Sequence, residues 1–484
     1  MGVVATALAL LAFAPAVSAQ VLMAGVDPGP IPSPNAAGLP TETGAAVADD
    51  PFAFRAPPRH PLMAPNGQSN IHVDAYQSDT NTIGGPLGPG STDSAYFIHE
   101  CASITFDSKG RIVSVCVGLD RPVLTMLDPK TLIPMATLDL PPRPPGGSFT
   151  DFSGGGYFYL DQRDRVVTAT SERHILIIGE TDAPGFETVR DFDISGELAA
   201  DDKIISTLPD WKGRIWFAST EGTVGWVDRK TGEVHKKVLA EHIGNSFAVD
   251  EKGSVYMVTD AALYRLEARH VKVKVLWRRG YRNDGVQKPG QTQAGSGTTP
   301  TLMAGGRLVA ITDNADPMHV LAFRRAIHPN SKRLVCRRRL FEKGASSTDQ
   351  SLIGAGRALI AENNYGYTVA GVQAGGVTQP GIQRVDVNKK LTACRTVWRS
   401  NVRAPSVVPK VSAKSGLLYT YTKPPAGTKD PWYLTALDFD TGKTKWKRLA
   451  GEGLGFNNNY APITLGPGRK IYLGVLGGIV KFTG

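Results

Sequence analysis

The sequence predicts an all-β chain: an eight-bladed β-propeller of four-stranded antiparallel blades, its ring closed by an N-terminal strand. Three observations predict it. The stretch Asp438-Phe-Asp-Thr441-Gly442-Lys-Thr-Lys-Trp446 reads as a strand end, a tight turn and a second strand, with echoes at Asp228-Arg-Lys-Thr231-Gly232-Glu and Asp128-Pro-Lys-Thr131. Asp caps its own turn backbone and Gly accepts φ > 0, so such turns join strands, and their recurrence marks a repeated unit. Eight strand–turn–strand openings then follow one another along the chain. Finally, 53 Gly and 34 Pro among 484 residues suit many short strands, and no amphipathic helical pattern stands out beyond the N-terminus.

The elements follow in order. Residues 1–19 are apolar through Ala14 and end in Val17-Ser18-Ala19, the pattern of a secretory signal cleaved after Ala19, although basic residues at its start are missing. The run is shorter than the roughly 20 residues a membrane-spanning helix needs. Residues 20–68 are rich in Pro, Ala and Gly and read as an extended or disordered linker, leaving 69–484 for the propeller. Asn70-Ile-His-Val-Asp-Ala-Tyr-Gln77 reads as one isolated strand, followed by the Gly/Pro-rich loop 84–90. The openings pair 101–106 with 112–117, 157–160 with 166–170, 204–208 with 215–218 and 247–249 with 255–258. They continue as 301–303 with 308–312, 352–353 with 358–361, 407–409 with 417–421 and 462–465 with 471–475. The last unit offers three strands, so strand 70–77 is expected to complete it and close the ring, removing sheet edges that invite aggregation.

Export makes the four cysteines legible. Cys101 and Cys116 flank Asp107-Ser108-Lys109-Gly110, whose midpoint is equidistant from both, so they should face each other across a hairpin. Cys336 and Cys394 would then pair between neighbouring blades; the alternative is four unpaired buried thiols. No Cys-x-x-Cys or His-x-x-x-His spacing supports structural zinc. The net charge of +10 gathers at Arg278-Arg279, Arg324-Arg325 and Arg337-Arg338-Arg339. For an exported chain this favours a solvated face, or attraction to an anionic wall or envelope surface, over nucleic acid.

The residues 436–446 and 227–233, with Trp277 and Trp398 at the ends of corresponding strands, make the chain resemble the quinoprotein-like, or PQQ-repeat, β-propellers. Segments Asn245-Ser-Phe-Ala-Val-Asp250, Gly297-Thr-Thr-Pro-Thr301 and Asn457-Asn-Asn-Tyr-Ala-Pro-Ile463 are also similar to those of secreted actinobacterial propellers of no settled function. The resemblance implies the fold, with tryptophans docking one blade against the next. Quinone-dependent alcohol dehydrogenases of that family use a vicinal Cys–Cys pair, a calcium held by Glu and Asn, and a catalytic Asp. No Cys-Cys occurs here, and no position matches the calcium or catalytic motifs, so PQQ ranks behind calcium as a cofactor.

Chemistry in a propeller collects at the channel and on the loops of one face. The positions before each first strand and after each second one include His99, Glu100, Glu172, Arg173, Asp202, Asn245, Asp260, Asp349 and Gln350. Denser clusters are Asp313, Asn314 and Asp316; Glu362, Asn363, Asn364 and Tyr365; and Asn457, Asn458, Asn459 and Tyr460. Hard oxygens of this kind suit Ca²⁺, with Asp313, Asp316 and Glu362 as candidate ligands, although the full EF-hand spacing is missing. The same groups, with Tyr365, Tyr460 and Trp432, would hydrogen-bond and stack a saccharide or other polar small molecule. Asn, Asp and Gly are also what turns require without any function, but consecutive amides exceed that need. His99, Glu100 and Glu362 are the candidates for acid/base work, though strand neighbours point to opposite faces. Absence of a Gly-x-Ser-x-Gly elbow, P-loop or Gly-x-Gly-x-x-Gly before a helix argues against α/β-hydrolase, NTPase and Rossmann chemistry.

The function expected is therefore a secreted or envelope-associated, monomeric propeller that binds a polar ligand, a saccharide or an envelope component on its Asn/Asp-rich face. The alternative is an enzyme on that face: a quinoprotein-like oxidoreductase, or a calcium-assisted lactonase, lyase or hydrolase.

Overall fold

The Asp–Gly turns form as their side chains dictate. Asp438 Oδ1 accepts from the Thr441 N–H at 2.8 Å and from Thr441 Oγ1 at 2.6 Å, and the Gly442 N–H closes the turn on the Asp438 carbonyl at 2.8 Å. Gly442 has φ 70°, and a Cβ there would come within 2.5 Å of the Trp398 indole of the preceding blade. Only glycine satisfies both constraints. Asp228 and Asp128 cap their turns through the same backbone bonds. Asp438→Ala should lower stability by about 1–2 kcal/mol, read as a lower denaturant midpoint at unchanged slope.

The computed structural model describes residues 22–484 except 119, 144–150, 152, 327–331, 369 and 372–373. The expected signal segment, 1–19, lies outside the described residues. Eight antiparallel sheets make the ring, each running from an inner to an outer strand. The inner strands of blades 1 to 8 are Glu100–Phe106, Tyr159–Leu160, Ile204–Pro209, Ala248–Val249, Thr301–Met303, Ile353–Ala355, Lys410–Ser412 and Ile463–Gly466. The outer strands are Pro134–Asp139, Phe186–Asp193, Val234–Val238, Lys272–Gly280, Leu334–Arg339, Cys394–Ser400, Thr444–Glu452 and Thr92–Tyr96.

Both faces of a middle strand are covered by neighbouring blades, so Ile215–Ser219, Ser254–Val258 and Leu308–Thr312 are buried at every residue. The core sits between blades: Ile360 of blade 6, Leu418 and Leu434 of blade 7 and Ile463 of blade 8 belong to one cluster. Trp398 docks blade 6 on blade 7, its Nε1 donating to the Phe439 carbonyl at 2.9 Å. Ionic clasps add to this at the turns between first and second strands. Asp161 of blade 2 pairs with Arg165 at 2.7 Å and with Arg229 of blade 3, and Asp250 of blade 4 meets Arg325 of blade 5 at 3.2 Å.

A strand preceding blade 1 closes the ring as expected, but it is Thr92–Tyr96, paired antiparallel to Gly478–Phe482, and not residues 70–77. The apolar alternation of Ile71, Val73 and Ala75 mimics a strand. Asn70 and Asp74 override it, because Asn70 Oδ1 accepts from the His72 N–H and Asp74 Oδ1 from the Tyr76 N–H. These are Asx turns, and they leave Val73, Gln77 and Asp79 at positive φ. The seventh inner strand likewise falls later than expected, at 410–412, with Val408 in a single bridge to Pro462.

The segment expected to be a linker is extended and held along its length. Glu42–Gly44 adds a strand outside blade 7, Ile31 is buried beside Phe456, and the Phe52 N–H donates to the Ala413 carbonyl. Both disulfides pair as expected: Cys101 with Cys116 across the first hairpin of blade 1, and Cys336 with Cys394 between the outer strands of blades 5 and 6. Among the described residues no helix is long and apolar enough to cross a membrane.

Candidate functional site

The two ends of the channel differ. At the turns between first and second strands, residues 66–81 run round the inner strands and take their backbone bonds. Leu160, Val249, Leu302, Gly354 and Val411 each donate an N–H to it, at the carbonyls of Ser69, Ala75, Tyr76, Ser78 and Asp79. Within this segment Asp79 meets the buried Lys410 ammonium at 2.5 Å and His72 Nδ1 at 3.1 Å. His72 Nε2 lies 3.2 Å from Ser351 Oγ and 3.3 Å from Thr299 Oγ1.

The opposite ends of the inner strands carry most of the residues singled out from the sequence. Glu362 Oε2 accepts from Thr420 Oγ1 at 3.1 Å and Glu362 Oε1 from Asn364 Nδ2 at 3.2 Å. Asn364 Oδ1 accepts from the Asp349 N–H at 2.8 Å. Next to Asp349, Gln350 Nε2 donates to the Ser406 carbonyl at 2.5 Å, and Ser406 Oγ donates to the Asn458 carbonyl. The Tyr367 hydroxyl lies 3.1 Å from Asn459 Oδ1 and accepts from Asn457 Nδ2 at 3.2 Å. The Asn459 N–H donates to Glu100 Oε1 at 2.8 Å. Glu362, Asn364, Asn457, Asn458, Asn459 and Glu100 thus belong to one hydrogen-bonded face. Tyr460 joins it edge-on to Tyr367, with ring centroids 5.3 Å apart.

Other candidates fall elsewhere. Asp313 is engaged by His319, which donates its N–H at 2.6 Å and places Nδ1 at 3.1 Å. Asn314 Nδ2 donates to Asn283 Oδ1 at 2.9 Å, and Asp316 Oδ1 accepts from the Gly344 N–H at 2.7 Å. These three organise the loops of blade 5 and do not join Glu362. Asn363 serves its own loop, with Nδ2 donating to the Ala345 carbonyl and Oδ1 accepting from the Tyr365 N–H. His99 Nδ1 is bonded to the Phe97 carbonyl while Glu100 faces Asn459, so the two are not brought together. Trp432 is buried and stacked on Tyr421 inside blade 7, out of reach of a ligand. Sequence reading missed Tyr367, which ties Asn457 to Asn459; its only signal was the second tyrosine of Tyr365-Gly-Tyr367.

Burial dominates the electrostatics. It pushes the Glu100 carboxyl up to about 8, against the opposing Asn459 N–H, and Asp349 up to about 7, against its bond from Thr292. Glu362 is raised well above the carboxylate range by burial, against Thr420 and Asn364. Among the described residues none of the three forms an ion pair with a Lys or Arg. Asp349 Oδ1, Gln350 Oε1, Asn457 Oδ1 and Asn458 Oδ1 are buried without a donor among the described residues. Thr292, which donates its N–H to Asp349 Oδ2, also lines a cavity of about 320 Å³ with Asp151, Lys203, His242, Asp260, Gln293, Ile205 and Ile243; none of Glu100, Asp349, Gln350, Asn457 and Asn458 lines it. Among the described residues no group of three or more His, Cys, Asp or Glu could hold a metal ion.

Fold and channel define the class, an eight-bladed β-propeller with an acceptor-rich channel face. No protein-family profile matches the chain. An uncharacterized protein of Archaeoglobus fulgidus is 30% identical over 319 residues, 59% of this chain and 62% of that protein. The chain therefore spans less than two thirds of that relative's length. Among solved structures it is similar to BamB from Moraxella catarrhalis, at 12% identity, TM-score 0.42, and coverage of 65% of this chain and 95% of BamB. It is also similar to a europium-containing methanol dehydrogenase, at 11% identity, TM-score 0.47, and coverage of 85% and 89% of the two chains. No activity is carried over from either.

Proposed function

We propose that the chain binds a polar small molecule rich in hydrogen-bond donors, of the polyol or saccharide class, at the channel face formed by Glu100, Asp349, Gln350, Asn457 and Asn458. One observation carries this reading: the buried oxygens of Asp349, Gln350, Asn457 and Asn458 lack a donor among the described residues. A buried acceptor left without a donor costs roughly 1–3 kcal/mol. A set of them is complementary to hydroxyls. The two disulfides accord with a secreted or envelope-associated protein.

The same oxygens support a second reading, Ca²⁺ held by carboxylate and amide oxygens at this face rather than by Asp313 and Asp316. Calorimetric titration with neutral mono- and disaccharides, alongside CaCl₂, separates the two. Under the saccharide reading Asn457→Ala and Asp349→Asn each weaken sugar binding by about tenfold, the loss of one good hydrogen bond. Chelator then leaves the melting temperature unchanged. A chelator-sensitive melting temperature with heat only from CaCl₂ would establish the calcium reading instead, and no heat from either would remove both.

A further inference from the structure

The outer rim of the ring is split by charge, in a way the channel face does not explain. The outer strands of blades 3, 4, 5 and 6 carry two, four, three and two Lys or Arg residues respectively and no Asp or Glu. The outer strands of blades 8 and 1 carry one Asp each and no cation, and that of blade 2 sets Glu187, Asp191 and Asp193 against Arg190. That of blade 7 carries Lys445, Lys447 and Arg448 with Glu452, but Glu42–Gly44 pairs along it, and Lys445 and Arg448 are paired with Asp438 and Glu42. The basic strands are neighbours in space: that of blade 3 lies against that of blade 4, and that of blade 5 against that of blade 6. Some of these cations are neutralised, as Arg278 is by Glu241 and Arg339 by Glu342. Lys237, Lys272, Lys274, Arg279, Arg337 and Arg395 are exposed and make no ion pair among the described residues.

Like charges on adjacent strands repel. Acids do clasp part of this rim, as Glu342 does between Arg339 and Arg399 of blades 5 and 6 and Glu197 does on Lys236, but none is paired with the six cations above among the described residues. We propose that this four-blade rim is a docking surface for a flexible linear polymer that carries phosphate groups along its backbone. Charge complementarity selects the anion, and the guanidinium forks of Arg279, Arg337 and Arg395 match phosphate oxygens in pairs. The rim is the convex outside of a ring, so a chain that bends around it meets all four blades, whereas a flat bilayer meets only a line of it. The tryptophans of these strands, Trp277 and Trp398, are buried, which leaves no exposed aromatic ring to enter a headgroup layer or to stack on bases.

The test uses the full-length protein and three probes: long-chain inorganic polyphosphate, duplex DNA at equal phosphate, and phosphatidylglycerol vesicles. Polyphosphate should bind, and should weaken several-fold as salt rises from about 50 to about 200 mM. The triple replacement Lys274→Gln, Arg337→Gln and Arg395→Gln should weaken it at least tenfold. Arg190→Gln on the acidic side should change it less than twofold. Arg337→Lys with Arg395→Lys keeps the charge and should keep most of the binding, which guards against a triple variant that fails to fold. The proposal is overturned if polyphosphate is not bound or if the triple replacement binds as the parent does. Tighter binding of duplex DNA or of vesicles would also overturn it, in favour of that partner.

Discussion

Replacing Glu100 by Gln is expected to stabilise the protein at neutral and alkaline pH while leaving it unchanged in acid. The sign follows from where the proton sits. In the unfolded chain the carboxyl titrates near 4.5; in the fold, burial moves it to about 8. Below the unfolded value both states hold the proton and stability does not depend on this group. Between the two values the unfolded state releases the proton and the folded state keeps it, so stability falls as pH rises. Above the folded value the full difference has been lost, on the order of 3–5 kcal/mol for a shift of this size. Gln keeps an oxygen for the Asn459 N–H and has no proton to lose. Urea unfolding at pH 4, 6 and 9 should therefore show Glu100→Gln and the parent alike in acid, with the variant's advantage growing as pH rises. Two curves displaced by a constant offset would show that Glu100 titrates in the fold as it does in water, and the electrostatic picture of this face would fail.

This expectation bears on function. A carboxyl that lowers stability at working pH is retained when something in the working state offsets its charge, and hydroxyl donors or a cation at this face would do so. The parent's fall with pH should then shrink when the bound species is present, and Glu100→Gln should lose that rescue.

How far the sequence could be read depended on the range of the interactions. The hairpins at Asp438, Asp228 and Asp128 were legible because an Asp side chain, backbone N–H groups and a fifth residue at positive φ, Gly442, Gly232 or Leu132, decide a turn within five residues. The same local chemistry misled at 70–77, where Asn70 and Asp74 make turns beneath an alternating apolar pattern. At the channel face, the consecutive amides of 457–459 and the Glu362-Asn363-Asn364 run pointed to polar groups that meet. Asp313, Asn314 and Asp316 looked similar in sequence, yet they bond to His319, Asn283 and Gly344 and not to Glu362, because composition does not distinguish polar groups that meet across blades from those that organise nearby loops. Two features were out of reach in whole or in part: the Arg278-Arg279 and Arg337-Arg338-Arg339 clusters were visible, but not that they share a rim. The charged rim arises only when outer strands from successive blades are set side by side. The contact between Asp79 and Lys410 joins residues 331 apart in the chain.

That contact carries the second large prediction. Asp79 and Lys410 are both fully buried, and the carboxylate is also within reach of His72. Asp79→Asn removes the anion in direct contact with the Lys410 ammonium and should cost about 3–5 kcal/mol, the usual penalty for a buried charge left alone. Lys410→Met should cost a similar amount, because Asp79 then keeps His72 alone. Replacing both together should recover most of the loss, and the double-mutant cycle isolates the pair from the surrounding packing. The two single variants separate further with pH. Burial holds the Lys410 ammonium below the usual lysine range, with Asp79 opposing that shift. Without Asp79 the shift deepens, the unfolded state binds more protons than the fold, and Asp79→Asn should gain stability as pH rises, whereas Lys410→Met should not. Because the Asp79 carbonyl also takes the Val411 N–H, the loss should be local first. Amide hydrogens of Gly354 and Val411, which bond to residues 78 and 79, should exchange faster in Asp79→Asn than those of blade 3, which makes no such bond. Uniform acceleration across all blades would mean that the pair supports the ring as a whole, and that residues 66–81 do not open separately from the channel they line.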